Sequence, residues 1–482
     1  MDDNFPLSLS YDDVLLVPQR TAVHSRKQTD VSSRLSRHLR LQIPIVSANM
    51  DTVTESTMAI AMARAGGIGI IHRFLPVDGQ AAEVRRVKRA ENFVIDRPYA
   101  CRPDDSIATA IDRMQEDDVG TLMVVDAAGK LVGLLGTRDV QFIRDRARPV
   151  ASAMRPRAQL VVGPPEIDMA GASQVFAEQK IDKLPLVDAG DRLVGLITAR
   201  DLLRIGENPR AAKDKRGRLL VGAAIGVLGD YMARAAALIE QDVDVLVIDI
   251  AHGHSDQVIT VAGEVKARWP RIELIAGNVA TAEGTRDLIA AGVDAVKVGV
   301  GPGSACTTRI VAGAGVGQFT AVRECAAAAR AQEIPLIADG GIKAPGDLTK
   351  ALAAGASTVM IGGMLAGTDE SPGRPLTRHG RRYKRYRGMA SLAATVDRRK
   401  RERLDPGADD EWISDVVPEG VEALVAYRGS VAEVLTQLVG GLRSGMSYCG
   451  AFTLAELQQK ARFTRITSAG LRESHPHDVE LE

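Results

Sequence analysis

Eight short apolar runs, each ending in small or polar residues, constrain this chain more than any other feature of its sequence. They are "IPIVSAN" (43–49), "GIGIIH" (67–72), "LLVGAAIG" (219–226), "DVLVIDIAHG" (244–253), "ELIAGN" (273–278), "AVKVGVGPG" (295–303), "PLIADGG" (335–341) and "TVMIGGM" (358–364). Near-continuous Val and Ile runs of this length predict parallel strands buried on both faces. The segments between them, such as "TAEGTRDLIAAG" (281–292), carry helical spacing and a threonine N-cap. Eight strand–helix units predict a closed (β/α)8 TIM barrel, with an open doubly wound sheet as the alternative. A barrel of this kind builds its active site at the C-terminal ends of its strands. Asn49, Asp249, Asn278, Cys306 and Asp339 all fall there.

At 482 residues the chain is too long for one ordinary core. Between the second and third runs, over about 93–205, lies an insertion with an internal repeat. "VVDAAGKLVGLLGTRDV" (124–140) realigns without a gap onto "LVDAGDRLVGLITARDL" (186–202). Each copy reads as strand, tight turn, strand and capped helix, and two copies packed together would share one core. The expected organisation is a barrel over 1–92 and 206–482, interrupted by a second domain over 93–205. A highly charged stretch, about 374–416, contains "RPLTRHGRRYKRYRGMAS" and "DRRKRERLDPGADDEWISD" and is expected to be a mobile flap.

Lys+Arg and Asp+Glu both number 61, so no net field draws the chain to nucleic acid or an anionic membrane. The opening "MDDNFPLSLS" is no signal peptide, and no apolar run approaches a membrane span. Four cysteines without CxxC spacing fit a reducing cytoplasm. One of them, Cys306, lies in "GVGPGSACTTR" (299–309). Glycines there let the chain approach a ligand closely and free backbone N–H groups for anions. Arg309 is close in sequence and would favour a thiolate, while Thr307 and Thr308 add hydroxyls. Most lone cysteines are inert and buried, but the Gly/Ser/Thr setting favours a nucleophile.

"GPGSACTTR" resembles the catalytic loop of the inosine monophosphate dehydrogenase and guanosine monophosphate reductase family. So do "LSYDDVLLVP" (9–18), "ANMDTVTE" (48–55), "DGGI" (339–342), "YRGM" (386–389), "VPEG" (417–420) and "ESHPHDV" (473–479). The inserted repeats resemble a tandem pair of CBS domains, which commonly bind adenine or guanine nucleotides. Thr198 and Asp201 match that family's ribose-contacting pattern, whereas the first copy has Gly136 at the corresponding place.

The resemblance implies that Cys306 attacks C2 of a purine nucleotide to give a covalent thioimidate. It implies that Ser304, Gly341, Gly362, Gly363 and Tyr386 hold the 5'-phosphate and that Asp339, followed by Gly340, accepts the ribose hydroxyls. Met389, with Gly388 and Ala390, faces the base. Asp249, Ala251, Gly299, Val300 and Gly301 face a nicotinamide cofactor. Carbonyls of Gly301, Gly303 and Cys306, joined by Glu473, Ser474 and His475 of a neighbouring subunit, resemble a potassium site. Tetramers, and octamers formed through CBS contacts, are implied as well.

The two family reactions run in opposite directions. The dehydrogenase oxidises IMP to XMP with NAD and hydrolyses the intermediate with an Arg-Tyr pair on its flap. The reductase expels ammonia from GMP and reduces it to IMP with NADPH, using a Thr/Glu pair that Thr308 and Glu419 match. Residues 392–416 contain Arg398, Arg399, Arg401 and Arg403 but no tyrosine. Asn49, Ile250, Ala251 and Gly363 also resemble the reductase. The insertion and the "ESHPHDV" tail resemble the dehydrogenase. Chemistry outranks architecture here, which gives a purine-salvage GMP reductase regulated by ATP or GTP at the CBS pair. The alternatives are a dehydrogenase in which Arg403 activates water and a catalytically silent nucleotide sensor.

Overall fold

The structure, a computed structural model, describes residues 5–91, 94–96, 98–402 and 416–477, without the side chains of 204–207 and 398–402. Its chain forms two compact units, one of residues 1–90, 210–214 and 219–482 and the other of 91–209 and 215–218.

The larger unit is a closed barrel of eight parallel strands. These are β1 (Ile45–Ser47), β2 (Ile68–Ile71), β3 (Val221–Ile225), β4 (Val245–Asp249), β5 (Glu273–Val279), β6 (Ala295–Val298), β7 (Leu336–Asp339) and β8 (Thr358–Ile361). Each of the eight apolar runs supplies one of them. They pair in chain order, and β8 returns to β1 to close the ring. Strands enclosed by side chains within and helices outside are buried on both faces, which is why their sequence is apolar rather than alternating. Helices between them start on caps; Thr281 Oγ1, for instance, accepts from Gly284 N at the head of Ala282–Ala290.

After β8 the chain makes an antiparallel sheet of β9 (Leu376–Arg378), β10 (Arg381–Arg387) and β11 (Glu422–Ala426), with a helix at Leu392–Glu402. Much of the charged stretch expected as a flap thus forms regular secondary structure. Its charges are used structurally: Lys384 is buried and donates to the carbonyls of Thr368 (2.9 Å) and Ser371 (2.5 Å). Arg387 donates through Nε to Asp51 at 2.8 Å and through its terminal nitrogen to Asp397 at 2.9 Å. The remainder of the expected flap, 403–415 with Arg403, lies outside the described residues.

In the smaller unit both repeats have the same element order. Ile107–Glu116, Thr121–Val125, Leu131–Gly136 and Thr137–Val140 form helix, strand, strand, helix, as do Met169–Gln179, Lys183–Val187, Leu193–Thr198 and Ala199–Glu207. The hairpins even slip register at equivalent places, between Val124 and Val125 and between Leu186 and Val187. Reciprocal backbone bonds join the copies: Leu131 N to Asp191 O at 2.9 Å, and Leu193 N to Gly129 O at 3.1 Å. Met123, Leu131 and Leu134 of one copy share a buried cluster with Val187 and Leu196 of the other.

Candidate active site

A cavity of about 450 Å³ opens at the C-terminal ends of the barrel strands, within the roughly 300–1,000 Å³ usual for small-molecule sites. On one side it is lined by Cys306, Thr308 and Glu419. Ser304, Gly362, Gly363 and Tyr386 form another wall, and Gly340, Gly341 and Asp339 another. Gly388, Met389 and Ala390 line it as well, as do Asp249, Ala251, Gly299, Val300 and Gly301. The fold thus gathers residues from the whole length of the larger unit.

The cysteine loop has its shape because two glycines permit it. Gly299 (φ +149°) brings the chain so close to Asp339 that a Cβ would lie 2.2 Å from its carbonyl oxygen. Gly301 (φ +84°) turns the chain where a Cβ would meet Arg309 Cγ at 2.5 Å. The loop is then clamped from above. Thr307 N donates to Glu419 O (2.8 Å), and Val421 N donates to Ala305 O (2.9 Å). These bonds set the Glu419 backbone beside Cys306. The half-buried Cys306 sulfur lies 3.2 Å from Thr308 Oγ1.

Arg309 does something other than its sequence position suggests. Its Nε donates to Val300 O at 3.2 Å and a terminal nitrogen donates to Val316 O. The guanidinium staples the base of the loop, and the thiol faces the Thr308 hydroxyl instead.

Beside the loop, Tyr386 is buried and shares a hydrogen bond with Ser304; burial pushes its phenol up, and that bond offsets part of the shift. A Cβ on Gly363 would lie 2.9 Å from Ser304 Oγ. Tyr11, from the "LSYDDVLLVP" motif, also lines the cavity, and its buried hydroxyl has no hydrogen-bond partner among the described residues. Asn49 lines the cavity and hydrogen-bonds Asp249.

Beneath the cavity lies a buried cation that the apolar strand pattern conceals. Lys297 of β6, 1% exposed, places Nζ 2.6 Å from Asp249 Oδ1 and 2.8 Å from Asp339 Oδ2. It also donates to Asn278 Oδ1, and Asn278 Nδ2 donates to Asp339 Oδ2 at 2.9 Å. Burial pulls the Lys297 ammonium down, but the two carboxylates outweigh it and hold its pKa above the ordinary lysine range. Burial likewise pushes Asp249 up, and Lys297 and Asn49 more than reverse it. The signal was a lone cation inside "AVKVGVG", otherwise an apolar barrel strand.

Two further sets of sequence-selected residues lie elsewhere. Glu473, Ser474 and His475 are exposed at the end of the Ser468–Glu473 helix and do not line the cavity. In the smaller unit Thr198 caps the Ala199–Glu207 helix, accepting from Asp201 N at 3.2 Å and donating to Asp201 Oδ2 at 2.5 Å. In the first repeat Asp139 Oδ2 instead accepts from Gly136 N at 2.7 Å. A separate cleft of that unit lies among the hairpin turns, with Asp126, Lys130, Arg157 and Asp191 in its walls. No described helix is long and apolar enough to cross a membrane.

With this geometry in place, comparison with known proteins supplies the family. Residues 8–477 match the model of the IMP dehydrogenase / GMP reductase domain. An inosine-5'-monophosphate dehydrogenase of Nitrosopumilus maritimus is 51% identical over 99% of both chains. A GMP reductase of Leishmania donovani is 48% identical over 98% of this chain and 97% of its own. The crystal structure of a cysteine-to-alanine GMP reductase of Trypanosoma brucei, in complex with guanosine 5'-monophosphate, superposes with a TM-score of 0.90. It shares 46% identity and covers 99% of each chain. The chain belongs to the IMP dehydrogenase / GMP reductase family of oxidoreductases, which work with a nicotinamide cofactor.

Proposed function

We propose that the protein is a GMP reductase, converting GMP to IMP and ammonia at the expense of NADPH. The observation that carries this reading is the meeting of Cys306, Thr308 and Glu419 in one cavity, in a chain whose 392–416 stretch has no tyrosine to complete a hydrolytic pair. Asn49 held against Asp249, and Gly363 leaving room for Ser304, support it.

On this reading Ser304, Gly341, Gly362, Gly363 and Tyr386 hold the 5'-phosphate, and Asp339 accepts the ribose hydroxyls. Gly388, Met389 and Ala390 flank the base. The Cys306 sulfur adds to C2. The exocyclic C2–N bond breaks as its nitrogen is protonated through Thr308 and Glu419, and ammonia leaves a thioimidate. The wall of Asp249, Ala251 and Gly299–Gly301 fits a nicotinamide: its side chains are small, and Asp249 keeps an edge open to the cavity. When bound, the reduced ring supplies the hydride that C2 receives. Cleavage of C2–S then returns the electron pair to sulfur and releases IMP.

The inserted repeats are read as a CBS pair taking ATP or GTP near Thr198 and Asp201. Carbonyls of Gly301, Gly303 and Cys306, with Glu473, Ser474 and His475 of a neighbouring copy in a tetramer, would hold a potassium ion. The dehydrogenase reading has its own support in the 51% identity to a protein of that name. Ultraviolet absorbance separates the two readings. The reductase consumes NADPH with GMP, whereas a dehydrogenase forms NADH from NAD and IMP.

A further inference from the structure

We infer that Lys297 is a positioning residue that couples the two halves of the cavity, so that the state of the cofactor-side carboxylate sets the affinity for the nucleotide. The inference rests on the assignment of Asp339 to the ribose and Asp249 to the cofactor side. Four consecutive barrel strands each contribute one polar group to a single cluster: Asp249 from β4, Asn278 from β5, Lys297 from β6 and Asp339 from β7. Strand register sets them side by side, with Asp249 opposite Gly277 and Gly277 opposite Lys297. Lys297 does not line the cavity, whereas its three partners do.

A buried ammonium is tolerable only while it is paired. Here one nitrogen serves two carboxylates, within 2.6 and 2.8 Å. Neither carboxylate can change its charge or hydrogen bonding without changing the other's share of the same cation. Asn278 reinforces the link, since it accepts from Lys297 while donating to Asp339 and to Gly299 O. Loss of charge on Asp249 therefore draws Nζ wholly onto Asp339 Oδ2, where it competes with the ribose hydroxyls.

The test is a double-mutant cycle on nucleotide binding, with Asp249→Asn and Lys297→Met, read by calorimetry with GMP and no cofactor. Charged groups in direct contact typically couple strongly enough for severalfold effects. Asp249→Asn is expected to weaken GMP binding about fivefold or more in the Lys297 protein and to have almost no effect in the Lys297→Met protein. An equal effect in both backgrounds overturns the inference. A merely structural lysine would lower the melting temperature and leave the two effects additive. Should Lys297→Met fail to fold, Asp249→Asn alone decides, because unchanged GMP affinity contradicts the coupling. The cycle is independent of the reaction assigned. Protein that binds IMP but does not turn over GMP is scored with IMP, and protein that binds neither nucleotide overturns the site assignment and the inference together.

Discussion

The Cys306 sulfur lies 3.2 Å from the Thr308 hydroxyl, two residues along a loop clamped by the backbone of Glu419 and Val421. A thiol that forms a bond to substrate and a hydroxyl that relays a proton have separable duties. Cys306→Ala is expected to abolish turnover while leaving GMP affinity within a few fold, because the sulfur does not hold the phosphate. Calorimetry beside a turnover assay checks both, and substantial residual turnover would refute covalent catalysis.

Thr308→Ala and Glu419→Gln should each slow ammonia release by about 10²–10⁴-fold, the usual range for a general acid or base, with GMP binding retained. Rapid-quench measurement of ammonia reads this step. A loss of less than about tenfold in both variants would remove the pair from the proton path.

Two glycines make a contrast within the same cavity. A Cβ on Gly388 would lie 2.5 Å from the Ala305 carbonyl oxygen, which is backbone, and so must displace the residue next to Cys306. On Gly363 the crowded atom is Ser304 Oγ, a side-chain tip that can rotate. Gly388→Ala is therefore expected to cut kcat/KM by about 10²-fold, the cost of misplacing a reacting group by an ångström. Gly363→Ala should cost much less. Reversal of that order contradicts the loop geometry.

The barrel was legible because burial on both faces writes each strand as a continuous apolar run, with no long-range information needed. The cavity residues were legible where small or polar residues end those runs, as at Asp249, Cys306 and Asp339. Lys297 was not, since its two counter-charges come from other strands and only the closed barrel brings them together. Arg309 misleads for the converse reason: it is near Cys306 in sequence, but the turn at Gly301 directs its guanidinium to the carbonyls of Val300 and Val316. Charge density likewise hid the strands at Leu376–Arg378 and Arg381–Arg387, because Lys384 and Arg387 find partners outside their own segment.

Asp244, at the other end of β4, gives a pH test. Burial pushes its carboxyl up to about 6 although Lys88 Nζ lies 2.6 Å away. With an ordinary carboxyl near 4 in the unfolded chain, the folded protein binds the extra proton between about pH 4 and 6. The group's stabilising contribution is therefore complete below that window and is lost as pH rises through 6. Asp244→Asn imitates the protonated form, so its melting temperature relative to the unsubstituted protein should climb from pH 4.5 to 7. A constant or falling difference contradicts the assignment.

Asp201→Ala should abolish any response of turnover to ATP or GTP at subsaturating GMP. Such coupling is typically about 5–150-fold in affinity. Unregulated turnover should stay near normal, because the substitution lies outside the barrel unit. A preserved nucleotide response would move the sensor away from the Thr198–Asp201 end of the repeat.

On the proposed function, this cavity removes the exocyclic amine of GMP and reduces C2. The most direct measurement is ammonia and NADPH followed together after GMP is added to the purified protein. A GMP reductase gives equimolar appearance of ammonia and loss of NADPH, with IMP as the product. No ammonia from GMP, together with NADH and XMP formed from IMP and NAD, would contradict that function.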